Sequence, residues 1–179
     1  MLGKILDRYC RFIDVLIAVD LAVMVVLVFG NVVMRYGFNS GITTSEELSR
    51  WLFVWLTFLG AITAMREGTH LGSDTLVAML STTGKKVFLV IGHVLMLFVC
   101  WLLFRGAYDQ MLVNWDTTSA VMEVSMAWFY GSGLVLAVSG ALILIERLWR
   151  LATGRLSDAE LIGVRESEEE PVDVPAPLK

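Results

Sequence analysis

The chain has 179 residues, 56% of them hydrophobic and 18% charged, with a mean hydropathy of +0.69. Soluble globular domains run at about 45–50% apolar and about 25% charged residues, so this composition excludes a disordered or fibrous protein and argues against an ordinary cytosolic enzyme. The net charge of −4 is localised: seven acids crowd residues 158–179, while residues 1–157 carry 12 basic and 11 acidic side chains and no basic stripe for nucleic acid.

A bilayer core of about 30 Å takes about 20 mostly apolar residues in a helix. Four segments approach that length. In chain order they are residues 15–34, broken only by Asp20 and Asn31; 51–65, short unless the turn at Leu48 is included; 87–104; and 126–145. Lys4, Arg8 and Arg11 before the first span resemble a signal-peptide n-region. The apolar stretch is too long for an h-region and lacks an A-x-A-like site, so it is expected to stay as a transmembrane helix. With both termini inside, the inner side holds 11 Lys and Arg residues and the outer side 3, which predicts an N-in, C-in topology.

The connections carry their own signals. Thr44-Ser45-Glu46-Glu47 has the T-x-x-E form of a capping box, predicting a helix start at about Ser45. Glu46 and Glu47 favour the positive end of the helix dipole, and Arg50 lies within i,i+3 and i,i+4 reach of both. A helix entrance with local ion pairing and a polar handle for a partner both fit this spacing. Residues 73–84 alternate Leu76, Val77, Met79 and Leu80 with small polar side chains, as a short interfacial helix would. Residues 106–125 are long and mixed, and are expected to extend the helices beyond the bilayer. From about residue 157, acids and three prolines read as a disordered cytoplasmic tail. The expected organisation is a transmembrane domain over 1–156 and a tail over 157–179.

Little inside the spans offers chemistry. Asp20 is the single acid well within one, with a structural hydrogen-bonding role or a place on an ion pathway as the alternatives. Being some nine residues past Arg11, it is also compatible with headgroup depth. His70 and His93 invite a bis-His haem, but His70 falls in a loop and His93 about eight residues into span three, roughly 12 Å apart along the axis. Cys10 and Cys100 are far apart in apolar context and suggest neither disulfide nor metal site. No P-loop, G-x-S-x-G or metal-ligand spacing appears, so neither catalysis nor a cofactor is expected. Small residues recur at spacing four in Ala18/Ala22, Thr57/Ala61, Gly60/Ala64 and Gly133/Ala137/Ala141, the pattern that lets membrane helices approach closely. More such stripes than four helices need would imply an outside helix. Trp51, Trp115, Trp128 and Trp149 lie near span ends, as aromatic belts do.

Residues 31–74 read NVVMRYGFNSGITTSEELSRWLFVWLTFLGAITAMREGTHLGSD. The N-x-x-x-R-Y of Asn31, Arg35 and Tyr36, the S-E-E-x-S-R of Ser45 to Arg50, the V-W-x-x-F-L-G-A of Val54 to Ala61 and the R-E-G-x-H-x-G-x-D of Arg66 to Asp74 follow in order. This resembles the small membrane subunit, DctQ, of tripartite ATP-independent periplasmic (TRAP) transporters. In the second half the agreement is in hydropathy and length. The resemblance implies an all-α, four-helix protein of the bacterial inner membrane with cytoplasmic termini. It further implies a scaffold role beside a large multi-spanning subunit in sodium-coupled import of an organic acid delivered by a periplasmic binding protein. On that view Glu46, Glu47, Arg50, Trp51 and Trp55 are candidates for partner or lipid contact, and Arg66, His70 and Asp74 form the cytoplasmic-side turn. The competing expectation is the membrane anchor of a redox enzyme, which would need haem or quinone ligands.

Overall fold

A computed structural model describes residues 2–67 and 82–153. His70, Asp74, the 157–179 tail and most of the expected interfacial helix lie outside the described residues. Residues 82–84 of that stretch begin a transmembrane helix instead. The elements are α1 (Leu2–Gly37), α2 (Thr43–Glu67), α3 (Thr82–Val113) and α4 (Ala127–Ala152), each long and apolar enough to cross a membrane. The fold is all-helical, as the hydropathy pattern predicts. Only an isolated antiparallel bridge, Thr118 to Ser125, interrupts it among the described residues.

Every helix outruns its expected span. At 1.5 Å per residue the 36 residues of α1 reach about 54 Å, against a hydrocarbon core of about 30 Å. Hydropathy registers only the part suited to hydrocarbon. The backbone ladder continues through the polar turns at Lys4 to Asp14, because the i to i−4 bonds do not depend on side-chain polarity.

The helices lie side by side in the order α1, α2, α4, α3, and α3 packs on α4 alone among the described residues. Helix α1 touches α4 only lightly, and there Tyr9 Oη and Ser139 Oγ share a 2.8 Å hydrogen bond. Its less exposed side chains are Leu6, Cys10, Ile13, Ile17, Asp20, Met24, Leu27, Asn31 and Met34, alternating steps of four and three residues. That alternation makes a narrow seam along one side of a helix. Its apolar part meets α2 and α4 in a core of Leu6, Ile13, Leu59, Ile62 and Ile143, flanked by Ile17, Trp55, Val135 and Leu136. In lipid, helix association depends on close packing and polar ties more than on the hydrophobic effect. The polar ties sit at the two ends of this core.

Candidate functional site

At the α1–α2 hinge, the short link forces polar groups together. Asn31 Oδ1 accepts a 2.7 Å hydrogen bond from the Ile42 amide, and Ser45 Oγ donates at 2.7 Å to the Leu27 carbonyl. Asn31 Nδ2 donates to Glu46 Oε1 at 3.4 Å, and Arg35 pairs with the same oxygen at 3.6 Å. Glu47 turns the other way. Its Oε2 accepts from the amides of Val121 and Met122 at 2.9 and 3.1 Å, tying α2 to the α3–α4 connection. That connection folds back on itself, with the Ser119 amide bonded to the Val124 carbonyl and the Met126 amide to Thr117. Glu123 takes a positive φ of 56° to close the turn.

The expected capping box is therefore not the use the fold makes of Glu47. Two tip amides with no sheet partner compete for its carboxylate and hold it. The predicted local pairing of Arg50 with Glu46 and Glu47 is likewise absent: Glu46 bonds to α1, Glu47 to the far connection. Among the described residues Arg50 makes no ion pair or hydrogen bond and lies exposed. Trp51 is buried and stands edge-on to Phe129, centroids 5.8 Å apart. Trp55 packs against the core.

At the opposite end, Arg66 joins three helices. Its Nη1 donates to Glu146 Oε2 at 3.0 Å and its Nε to Asp7 Oδ1 at 3.1 Å. Its carbonyl accepts from Arg147 Nη2 at 2.7 Å. The Glu146 side chain is 7% exposed and that of Arg66 16%, so this pair is desolvated. The planar guanidinium, with donors on several edges, is what lets one side chain serve two carboxylates. Asp7 and Glu146 were not among the sequence candidates. An acid directly at the end of the apolar run 126–145 was the available signal for Glu146; no local signal marks Asp7.

A family model for the DctQ component of tripartite ATP-independent periplasmic transporters matches residues 24–154. The chain belongs to the DctQ family. The match extends the likeness through the second half of the chain, where hydropathy and length alone had agreed. A TRAP transporter small permease protein of Haemophilus influenzae is 38% identical over 138 residues, which is 77% of this chain and 86% of that one. A second from the same organism is 30% identical over 77% of this chain and 82% of that one. A C4-dicarboxylate TRAP transporter small permease protein DctQ of Vibrio cholerae is 29% identical over 60% of this chain and 45% of that one.

As a DctQ-family small permease, this multi-pass protein of the bacterial inner membrane is a transport component and not an enzyme. TRAP small permeases work with a large membrane subunit and a substrate-binding protein. For such a subunit, the spare helix surface matters more than any cavity. The stripe of α4 is used inside the chain. A Cβ on Gly133 would stand 3.2 Å from the Ala107 Cβ of α3, and one on Gly140 would stand 3.1 Å from the Met65 Cε of α2. The stripes of α1 and α2 are not so used. Ala18, Ala22 and Thr57 are exposed, and a Cβ on Gly60 would meet nothing within 4 Å.

Asp20 sits in the α1 seam with both carboxylate oxygens buried and without a hydrogen-bond partner among the described residues. It stands about 20 Å along the helix from Asp7 and about 16 Å from Asn31. That places it near the middle of α1, away from the polar groups at both ends of that helix. His93 Nδ1 is 2.7 Å from the Leu89 carbonyl, its ring turned back on its own helix.

The Glu47 contact yields a direct test. Glu47→Ala removes the acceptor for two amides, each such loss costing about 1–3 kcal/mol where water is excluded and less at this half-exposed site. Faster amide exchange at Val121 and Met122, with α1–α2 exchange unchanged, is the expected outcome; unchanged protection at both amides would show that the tie does not hold the connection.

Proposed function

We propose that this chain is the static, scaffold-type subunit of a sodium-coupled TRAP transporter that imports an organic acid handed over by a periplasmic binding protein. The C4-dicarboxylate named for the Vibrio cholerae relative belongs to that class of solute. Both termini face the cytoplasm on this reading, from the basic-residue asymmetry, and the 157–179 tail is a dispensable appendage of the 1–156 membrane domain. The large subunit seats a helix on α2.

The observation that carries the reading is the unused small-residue face of α2. Thr57 and Gly60 offer close approach without backbone obstruction, and Arg50, exposed and without a partner among the described residues, lies on the same helix. Close packing at small residues is what drives helix association in lipid, and a guanidinium is suited to a partner carboxylate. A redox-enzyme anchor is not favoured, since the family match carries no haem or quinone function.

Gly60→Leu tests the seat. The new Cβ has nothing within 4 Å among the described residues, so the unfolding free energy of the isolated chain should stay within about 0.5 kcal/mol of unchanged. Recovery of the large subunit on co-purification, and sodium-driven uptake by reconstituted complex, should both collapse. Arg50→Ala should lower recovery less, by the roughly 0–1 kcal/mol of a solvated ion pair. Solute flux by this chain alone in liposomes, or full recovery of the complex with Gly60→Leu, would overturn the scaffold reading or its seat respectively.

A further inference from the structure

Between the hinge-proximal halves of α1 and α2 runs a shallow groove of ≈190 Å³. Val26, Leu27, Ile42 and Leu48 make its walls apolar, and Gly30 leaves its floor open, since a Cβ there would meet nothing within 4 Å. One rim is polar. Asn31 lines the groove and donates to Glu46, whose Oε1 is also 3.6 Å from the Arg35 guanidinium. The side chains of Arg35 and Glu46 are 66% and 54% exposed, so both charges stay open to a ligand while paired with each other. The groove therefore has an apolar bed in the apolar stretch of α1 and, just outside its lining beyond Asn31, one exposed cation beside one exposed anion.

We propose that this groove holds a phospholipid with a primary-ammonium headgroup, phosphatidylethanolamine. An acyl chain lies along Val26, Leu27 and Leu48 across Gly30, the phosphate accepts hydrogen bonds from Arg35, and the ammonium donates to Glu46. The charge pattern selects among lipids. A glycerol headgroup presents the phosphate and nothing cationic for Glu46. A choline headgroup presents a cation with no N–H to donate. Only the ammonium gives both rim charges a charge-assisted hydrogen bond, the stronger class of such bonds. The site is separate from the α2 stripe invoked for the large subunit, and stands whether or not that seat is correct.

The full-length chain, purified in detergent, is offered phosphatidylethanolamine, phosphatidylglycerol or phosphatidylcholine of identical acyl chains, and bound lipid is read by native mass spectrometry. Retention of the first should exceed the other two by about tenfold, the effect of one charge-assisted hydrogen bond. Glu46→Gln keeps an acceptor for Asn31 but loses the anion, and should erase the preference. Gly30→Leu starts from a Cβ with nothing within 4 Å and puts its side chain into the groove, and should abolish retention of all three, with the helix content and thermal midpoint of each variant checked against the parent. Equal retention of the three lipids, a preference that survives Glu46→Gln, or undiminished binding to Gly30→Leu would overturn the proposal. So would a chain that retains no lipid at all, the result expected if a partner's helix is the true occupant.

Discussion

Arg66→Ala should cost the isolated subunit about 3–5 kcal/mol of unfolding free energy, the range for breaking a buried pair from one side. The loss arises less from the missing attraction than from what stays behind. Glu146, 7% exposed in its side chain, keeps a carboxylate with no guanidinium beside it. Asp7 is 57% exposed and can turn to water, so its share is small. The effect also spreads, because Arg66 ties α1 and α4 to the end of α2. Detergent-titrated or thermal unfolding followed by circular dichroism would measure it. Adding Glu146→Gln to Arg66→Ala removes the stranded charge and should restore a good part of the loss, whereas Glu146→Gln alone should cost less than Arg66→Ala. Arg66→Lys should fall between, since one ammonium cannot present donors to both carboxylates in the same fork. A midpoint unchanged by Arg66→Ala would mean that the cluster is solvated and holds nothing.

Gly133→Leu should damage the subunit for a different reason, and more than its position near one end of α4 suggests. The new Cβ would stand 3.2 Å from the Ala107 Cβ and 3.9 Å from Leu103 Cδ1. Ala107 has no rotamer to yield, so the two helices must part. Overpacking of this kind costs about 1–3 kcal/mol. Helix α3 has no second neighbour among the described helices, and what loosens α4–α3 loosens the whole of α3. Cysteine cross-linking between the two helices, or amide exchange along residues 94–108, should report that separation while α1–α2 stays protected. The contrast with Gly60→Leu is the sharper check. Both replace a transmembrane glycine by leucine, yet only Gly133 faces another helix of its own chain. Equal stability losses at Gly133 and Gly60 would contradict the helix order α1, α2, α4, α3.

That contrast also marks where sequence reading stops. Small residues at spacing four look alike in α2 and α4, because spacing reports which side chains share a face and not what the face meets. Glu47 shows the same limit. T-x-x-E spacing predicts a bond back to the start of its own helix, and local geometry permits one. The carboxylate instead serves Val121 and Met122, whose distance in sequence, 74 and 75 residues, hides them from any local rule. Arg50, expected to pair with its neighbours on α2, loses both to other elements. Asp20 read as a lone acid in an apolar run; that both its oxygens are buried in the α1 seam without a hydrogen-bond partner among the described residues is a fact of packing that spacing does not carry.

By itself, the sequence determined the four spans, their all-helical character and, through the ordered motifs of residues 31–74, membership of the DctQ family. These follow from quantities local to each segment: apolar length against bilayer thickness, and residue identities at short spacing. The tertiary structure decided which stripes are spent inside the chain, which charges are paired, and that Arg66 closes three helices around Asp7 and Glu146. In lipid every helix face is apolar, so hydropathy no longer distinguishes core from surface. The choice of neighbour falls to shape and to a few polar groups, whose partners lie up to 130 residues away.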